Sequence, residues 1–340
     1  MKDIRDLTLD ELKAELAGLG EAAYRAKQIF AWLYKRGAAS YADMTDLPKG
    51  LREKLAGSFS LKTAELYGVF RSKDGSEKFL FRLEDGPCVE TVSIPSGARK
   101  TVCVSTQVGC KFGCGFCASG LGGFVRNLTP SEIVGQVLYL RDVLDAALTN
   151  IVFMGMGEPL DNYENLSRSI LILNAPEGPG LAARRMTVST AGFIPGIEHF
   201  RTLGLQLNLS VSLHASTEAK RNEIMPINRK YPLAKLIPAC ESYVREGGRK
   251  ITLEYVLLGG FNDSAADADG LARIAARLKA KVNLIPYSPV AGLPYKVPEA
   301  RVVEVFLGRL KDKGVPATLR QSKGCDIQAA CGQLAGRLNR

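Results

Sequence analysis

The chain has little that would mark it as a membrane or secreted protein. No apolar run approaches the length of a bilayer span. The segment from Met1 to Gly18 is charged and amphipathic and lacks the apolar centre of a secretory leader. Eight cysteines in 340 residues are too sparse for a disulfide scaffold, and their clustering fits a reducing compartment, so a cytoplasmic protein is expected. There are no internal repeats and no low-complexity tracts. Histidine occurs only twice, at His199 and His214. Acidic residues fall short of basic ones, 35 against 45, which leaves a net charge of +10. That excess points to a polyanionic partner, nucleic acid first, although solvated lysines alone would give the same sum. Apolar content of 46% and charged content of 24% are ordinary for a folded globular chain.

What is present divides into four segments. Residues 1–62 read as helices. Thr8 to Glu11 is a capping-box pattern, Ile29 to Tyr34 is an amphipathic stretch, and a third helix follows Pro48. Lys27, Lys35, Arg36, Lys49, Arg52 and Lys54 make this segment basic, with aromatics interleaved, which suits RNA or a solvated face. Residues 63–98 turn to β-pattern and form a short β linker, with strands expected at 78–82 and 89–94. Residues 99–314 alternate strands and helices. Strands are expected at 101–106, 150–154, 186–189, 205–213, 251–258 and 282–286. Helices are expected at 130–148, 162–173, 194–203, 231–245, 265–279 and 298–313. Six strand-then-helix units imply an α/β fold with a parallel sheet, either doubly wound or a partial barrel. In both, chemistry sits beyond the C-terminal ends of the strands. Residues 315–340 form a C-terminal tail.

The most informative motif follows the first of these strands: Cys110, Cys114 and Cys117. Three thiolates at these spacings can hold three irons of a four-iron cluster and leave the fourth open to a small molecule. Three unrelated buried thiols, or a zinc site lacking its fourth ligand, are the competing readings. Gly109, Gly113, Gly115 and Gly120 let the backbone wrap closely around an inorganic core. Gly155-Met156-Gly157-Glu158 ends the second strand, with Glu158 an acceptor for an ammonium group or ribose hydroxyls. Ser189 ends the third strand, and Ser212-Leu213-His214 ends the fourth. In the tail, Cys331 reads as a thiol at a helix start, where it would be a competent nucleophile. Cys103 lies on the strand that feeds the cysteine loop, and Glu90 lies on the strand before it. His199 reads as structural.

The cysteine spacing resembles the radical S-adenosylmethionine (SAM) superfamily. The wider set narrows the resemblance to the RlmN/Cfr group of RNA adenine methyltransferases. That set is Glu90-Thr-Val, Cys103 to Cys110, Cys114 and Cys117, Gly155 to Leu160, Val188 to Thr190, Ser212 to Ala215, Met225 to Asn228, and Ala329 to Leu334. Pro159 favours the adenine-C2 branch over the C8 branch. The resemblance implies a partial (β/α)6 radical-SAM barrel with a small N-terminal helical accessory domain. It implies a [4Fe-4S] cluster on Cys110, Cys114 and Cys117, with SAM bound through Gly157, Glu158, Ser189, Ser212, Leu213 and His214. A family asparagine is matched here by Ser288, which reaches less far. Cys331 would be methylated by one SAM, and a second SAM would supply a 5′-deoxyadenosyl radical that takes hydrogen from that methyl group. Glu90 would remove the C2 proton, and Cys103 would resolve the adduct as a transient disulfide with Cys331. Implied partners are large-subunit rRNA, tRNA and an electron donor of the flavodoxin or ferredoxin type, with the enzyme acting as a monomer. Arg184-Arg185 and Lys220-Arg221 are candidate phosphate contacts. A non-enzymatic iron–sulfur RNA-binding protein is the alternative from a different class. Cys88, Cys240 and Cys325 receive no role.

Overall fold

A computed structural model describes residues 1–62, 65–144 and 148–336. Residues 63, 64, 145–147 and 337–340 lie outside it. These include the expected start of the β linker, part of the helix expected at 130–148, and the chain's last residues.

Three helices open the chain: α1 (Leu9–Gly18), α2 (Tyr24–Tyr34) and α3 (Lys49–Ser58). The capping box at α1 forms as expected. Thr8 accepts from the Glu11 N–H, and Glu11 accepts from the Thr8 N–H. Leu12, Leu16, Ile29, Phe30 and Leu33 are buried, so the helices share one apolar core. This bundle docks on the rest of the molecule through the Ser131 N–H, which donates to Asp6, and through an Arg168–Glu11 ion pair.

The remainder is built on one ten-stranded sheet. Its antiparallel end is β1 (Glu65–Arg71), β2 (Glu77–Arg82), β3 (Cys88–Ser96) and β4 (Arg99–Cys103). A small hairpin, β5 (Gln107–Gly109) with β6 (Phe124–Asn127), brackets the cysteine loop. Parallel strands continue from β4 as β7 (Asn150–Phe153), β8 (Met186–Thr190), β9 (Asn208–Ser212), β10 (Thr252–Leu257), β11 (Lys281–Pro286) and β12 (Ala317–Leu319). The crossovers are α4 (Pro130–Val143), α5 (Tyr163–Asn174), α6 (Ile194–Thr202), α7 (Glu218–Ile224) with α8 (Leu233–Arg245), α9 (Ala265–Leu278) and α10 (Ala300–Asp312). Strand and crossover alternate because each apolar run of about six residues is followed by a helix with one buried stripe.

The sheet curls into a partial barrel. Ile94 and Ser96 of β3 line the same interior as Thr318 and Leu319 of β12, and Lys323 donates to the Pro95 carbonyl across the gap. Three features were not read from the sequence. The β-rich segment is hydrogen-bonded into the barrel sheet through β3 and β4. The tail opens with a seventh parallel strand, β12. The barrel interior is polar rather than filled: Thr187, Asn208, Ser210, Thr252 and Asn283 line a cavity of about 800 Å³ that extends to the N-terminal ends of the strands. No helix is long and apolar enough to cross a membrane among the described residues.

Candidate active site

Two connected chambers meet inside the barrel. The smaller, about 160 Å³, is lined by the three loop cysteines together with Gly157, Glu158, Ser189, Ser212 and His214. Residues from the ends of β7, β8 and β9 thus converge on the loop that follows β4, as strand-end chemistry requires. The loop is shaped by glycine. A Cβ on Gly109 would overlap the Gly123 carbonyl, and Gly157, at φ +97°, would drive one into the Gln107 side chain.

The donor set fits a cluster. Burial pushes the Cys110 thiol up to about 12 and raises Cys114 and Cys117 as well. Bare thiols here are therefore protonated, and loading the site with iron releases protons. Among the described residues no three His, Cys, Asp or Glu side chains are gathered tightly enough to hold a single metal ion. A zinc ion would need its sulfurs about 2.3 Å from one point. Three thiols lining one chamber match the three cysteine ligands of a multi-iron core.

Glu158 is buried and fixed from three sides. Its N–H donates to Gln107 Oε1 at 2.8 Å, and its carboxylate accepts from the Ala191 N–H at 2.7 Å and the Leu160 N–H at 3.2 Å. Burial raises its carboxyl to about 7 against the pull of those donors. A bound ammonium would restore the charged form. His214 sits in the left-handed region at φ 57° and accepts the Val256 N–H on Nδ1 at 3.0 Å. That bond assigns the proton to Nε2, and burial, with Arg221 nearby, lowers its pKa to about 3, so the ring is a neutral donor. Leu213 is buried and lies outside the chamber lining; its carbonyl takes the Arg221 Nε–H. Ser288 is also absent from the lining, its hydroxyl 3.3 Å from Cys325 Sγ.

The tail brings Cys331 to the chambers. The Ala118 N–H donates to the Gly332 carbonyl at 2.7 Å, and the Ser119 hydroxyl donates to the Leu334 carbonyl at 2.7 Å. Cys331 thereby lines both chambers, directly against the turn that carries Cys117. It is in a turn that follows the 3-10 segment Cys325–Ile327, not at a helix start, so the expected helix-dipole activation is absent. Cys103 faces the larger chamber, and burial, with Cys331 nearby, holds its thiol up at about 12.

Glu90 lies on the same face of β3 as Val92, the register partner of Cys103. It is not free. One oxygen pairs with Lys78 at 2.8 Å, both side chains being 2% exposed, and the other accepts from the Ala335 and Gly336 N–H groups at 2.7 and 3.0 Å. Glu90 therefore grips the segment just beyond Cys331.

Several expected contacts resolve otherwise. Arg221 is fully buried and donates to Asn228 Oδ1 and to the carbonyls of Ala191, Ser212 and Leu213. It braces the chamber and cannot touch a phosphate. Lys220 is paired with Asp267. His199 is exposed beside Tyr163 rather than structural in the core. Sequence reading missed Lys78, Glu254 and Arg320. Glu254 and Arg320 line both chambers. The available signal for Glu254 was alternation, since Thr252 and Glu254 interrupt an apolar strand at period two.

Residues 104–269 match the radical SAM superfamily, and residues 2–61 match the ribosomal RNA large subunit methyltransferase N-terminal domain. The chain is 47% identical to the dual-specificity RNA methyltransferase RlmN of Geobacter sulfurreducens, over 100% of this chain and 93% of that protein. It is 46% identical to a probable dual-specificity RNA methyltransferase RlmN of Geobacillus kaustophilus, over 99% and 93%. The chain belongs to the RlmN family. A crystal structure of a radical SAM methyltransferase from Sphaerobacter thermophilus superimposes with a TM-score of 0.93 at 46% identity, covering 99% of this chain and 100% of that one. The family is a radical SAM family, whose cofactors are a [4Fe-4S] cluster and SAM.

Proposed function

We propose that this chain methylates C2 of an adenosine in large-subunit rRNA and of an adenosine beside the tRNA anticodon, with a cysteine as methyl carrier. The observation that carries the reading is Cys331, which shares one chamber wall with the loop cysteines and another with Cys103. A non-enzymatic iron–sulfur protein has no use for that arrangement, and the C8 branch is not favoured by the relatives.

Cys110, Cys114 and Cys117 would hold the cluster, and Gly157, Glu158, Ser189, Ser212 and His214 would hold SAM. When bound, these groups supply one-electron chemistry able to take hydrogen from an unactivated methyl group. Adenine C2 is neither acidic nor nucleophilic, so polar displacement alone has no electron pair to use. The chain's own residues supply the rest. The Cys331 sulfur carries the one-carbon unit to C2. Glu90 takes the C2 proton once the amides of Ala335 and Gly336 withdraw, because in this arrangement both its oxygens are occupied. Cys103 then attacks the Cys331 sulfur; the carbon–sulfur bond breaks, the carbon leaves with its electron pair and takes a proton to become the methyl group, and a Cys103–Cys331 disulfide remains for an external thiol to reduce.

Residues 1–62 would contribute to RNA binding. A flavodoxin- or ferredoxin-type donor, action as a monomer and a cytoplasmic location belong to the same reading. The test is Cys103→Ala: the variant should accumulate covalent protein–RNA adduct on denaturing gels. Free methylated RNA at wild-type yield would refute the resolving role.

A further inference from the structure

Glu254 is a buried carboxylate that neither the fold nor the mechanism above uses. It projects from the middle of β10 into the barrel and is 4% exposed. One carboxylate oxygen accepts from the Ser210 hydroxyl at 3.0 Å and from Asn283 Nδ2 at 3.1 Å. The other, Oε2, is buried and has no hydrogen-bond partner. An unsatisfied buried carboxylate oxygen costs stability and calls for a donor. Ser210 and Asn283 are committed to the first oxygen, and the Arg320 guanidinium lies near the carboxylate without a hydrogen bond to it, which leaves Oε2 open to a donor from a ligand.

The position of that oxygen narrows the ligand. Glu254 lies in the wall common to both chambers, as do Cys331 and Arg320. The lining of the larger chamber includes Arg99 and Lys281, two exposed cations at strand starts, which suit a phosphate backbone. An enzyme acting on a base must take it out of the stack and read its hydrogen-bonding edge. Adenine carries one exocyclic donor, the amine on C6, separated from C2 by N1 alone. A ring whose C2 meets Cys331 therefore offers its amine to an adjoining part of the same wall.

We propose that Glu254 is a specificity-determining residue that accepts a hydrogen bond from the exocyclic amine of the target adenine on Oε2, with Ser210 and Asn283 fixing the carboxylate. This rests on the RNA adenosine reading above. Guanine and hypoxanthine present a carbonyl oxygen at that position and would meet a carboxylate oxygen instead of a donor.

The test uses the cluster-loaded full chain and target-stem hairpins whose adenosine is retained or replaced by purine riboside, which lacks the amine, or by inosine. In Glu254→Gln the amide oxygen keeps the Ser210 and Asn283 donors, so the amide NH2 takes the position of Oε2. Wild type should bind the adenosine hairpin about tenfold or more tighter than the purine hairpin, as expected for a hydrogen bond to a charged group. Glu254→Gln should bring that ratio close to one and should bind the inosine hairpin more tightly than wild type does. The ratio is unaffected by a partly unfolded sample. An unchanged ratio in the variant overturns the proposal. So does a tenfold loss of SAM affinity with base discrimination intact, which would assign Oε2 to the cofactor. Wild type that methylates the adenosine hairpin yet binds the purine hairpin equally well sinks the role of Glu254 alone. Wild type that methylates none of the hairpins sinks the functional reading beneath it.

Discussion

Replacing Lys78 by methionine should destabilise the protein and loosen the segment that carries Cys331. Lys78 Nζ is 2.8 Å from Glu90 with both side chains 2% exposed, and it also donates to the Gln328 carbonyl at 3.3 Å. Methionine keeps the length and removes the charge, so Glu90 is left buried with two amide donors and no counter-ion. Breaking one side of a buried pair costs about 3–5 kcal/mol. The entropy of unfolding for 340 residues, at about 2.1 cal/mol/K each, is roughly 0.7 kcal/mol/K. The melting temperature should therefore fall by roughly 4–7 °C. The double variant Lys78→Met with Glu90→Gln removes both charges while the Gln carbonyl can still accept from Ala335 and Gly336, so most of the loss should return. Thermal unfolding followed by circular dichroism gives the first number. Alkylation of Cys331 by iodoacetamide, followed by mass spectrometry, gives the second, and it should run faster in the single variant. A melting temperature within about 1 °C of wild type in Lys78→Met would show that Lys78 and Glu90 are not a buried pair, because a pair removed from water cannot be broken that cheaply.

Two further predictions concern the chamber lined by the loop cysteines. His214 has a folded pKa of about 3 against an ordinary 6.5. The unfolded chain therefore binds a proton that the folded chain does not between those values, and stability falls as pH drops through that window, by about 1.4 kcal/mol per pH unit. From pH 6.5 to 5.0 wild type should lose about 1.6 kcal/mol more than His214→Asn in urea unfolding, and equal losses would contradict the buried neutral ring. Gly157→Ala forces a side chain into φ +97° and against Gln107, the acceptor of the Glu158 N–H. At about 1–3 kcal/mol of local strain, equilibrium dialysis should show SAM affinity reduced by about tenfold or more. Wild-type affinity would show that Gly157 is not needed for the approach.

The legible part of this molecule was local. The Thr8 capping box, the alternation of strands and helices, and the three cysteines are each set within a few residues. Cys103 could be assigned to a strand, but only its register with Val92 shows that it shares a face of the sheet with Glu90. Lys78 was invisible because its partner, Glu90, meets it only through β2–β3 pairing, and its second partner, Gln328, lies 250 residues away. Arg221 looked like surface charge beside Lys220, yet a helix turns adjacent residues to different faces, and Arg221 alone points inward. The polar interior was written in the strands as Asn208-Ser210, Thr252-Glu254 and Lys281-Asn283. It was unread because which face of a strand is inside depends on the closure of the sheet. Ser288 was matched to a family asparagine, and that match carries no information about the Cys325 sulfur that its hydroxyl meets.

The proposed chemistry passes a methylene through Cys331, and isotopes report it directly. The protein is loaded with iron and sulfide under anaerobic conditions and given a reductant, SAM with a trideuterated methyl group, and protein-free rRNA or tRNA. The nucleosides are then resolved by mass spectrometry. The expected product is 2-methyladenosine with two deuteriums in its methyl group, since one is lost when hydrogen is taken from methylated Cys331. A methyl group that arrives with all three deuteriums would contradict it, because the carbon would then have moved intact and Cys331 would not have carried it.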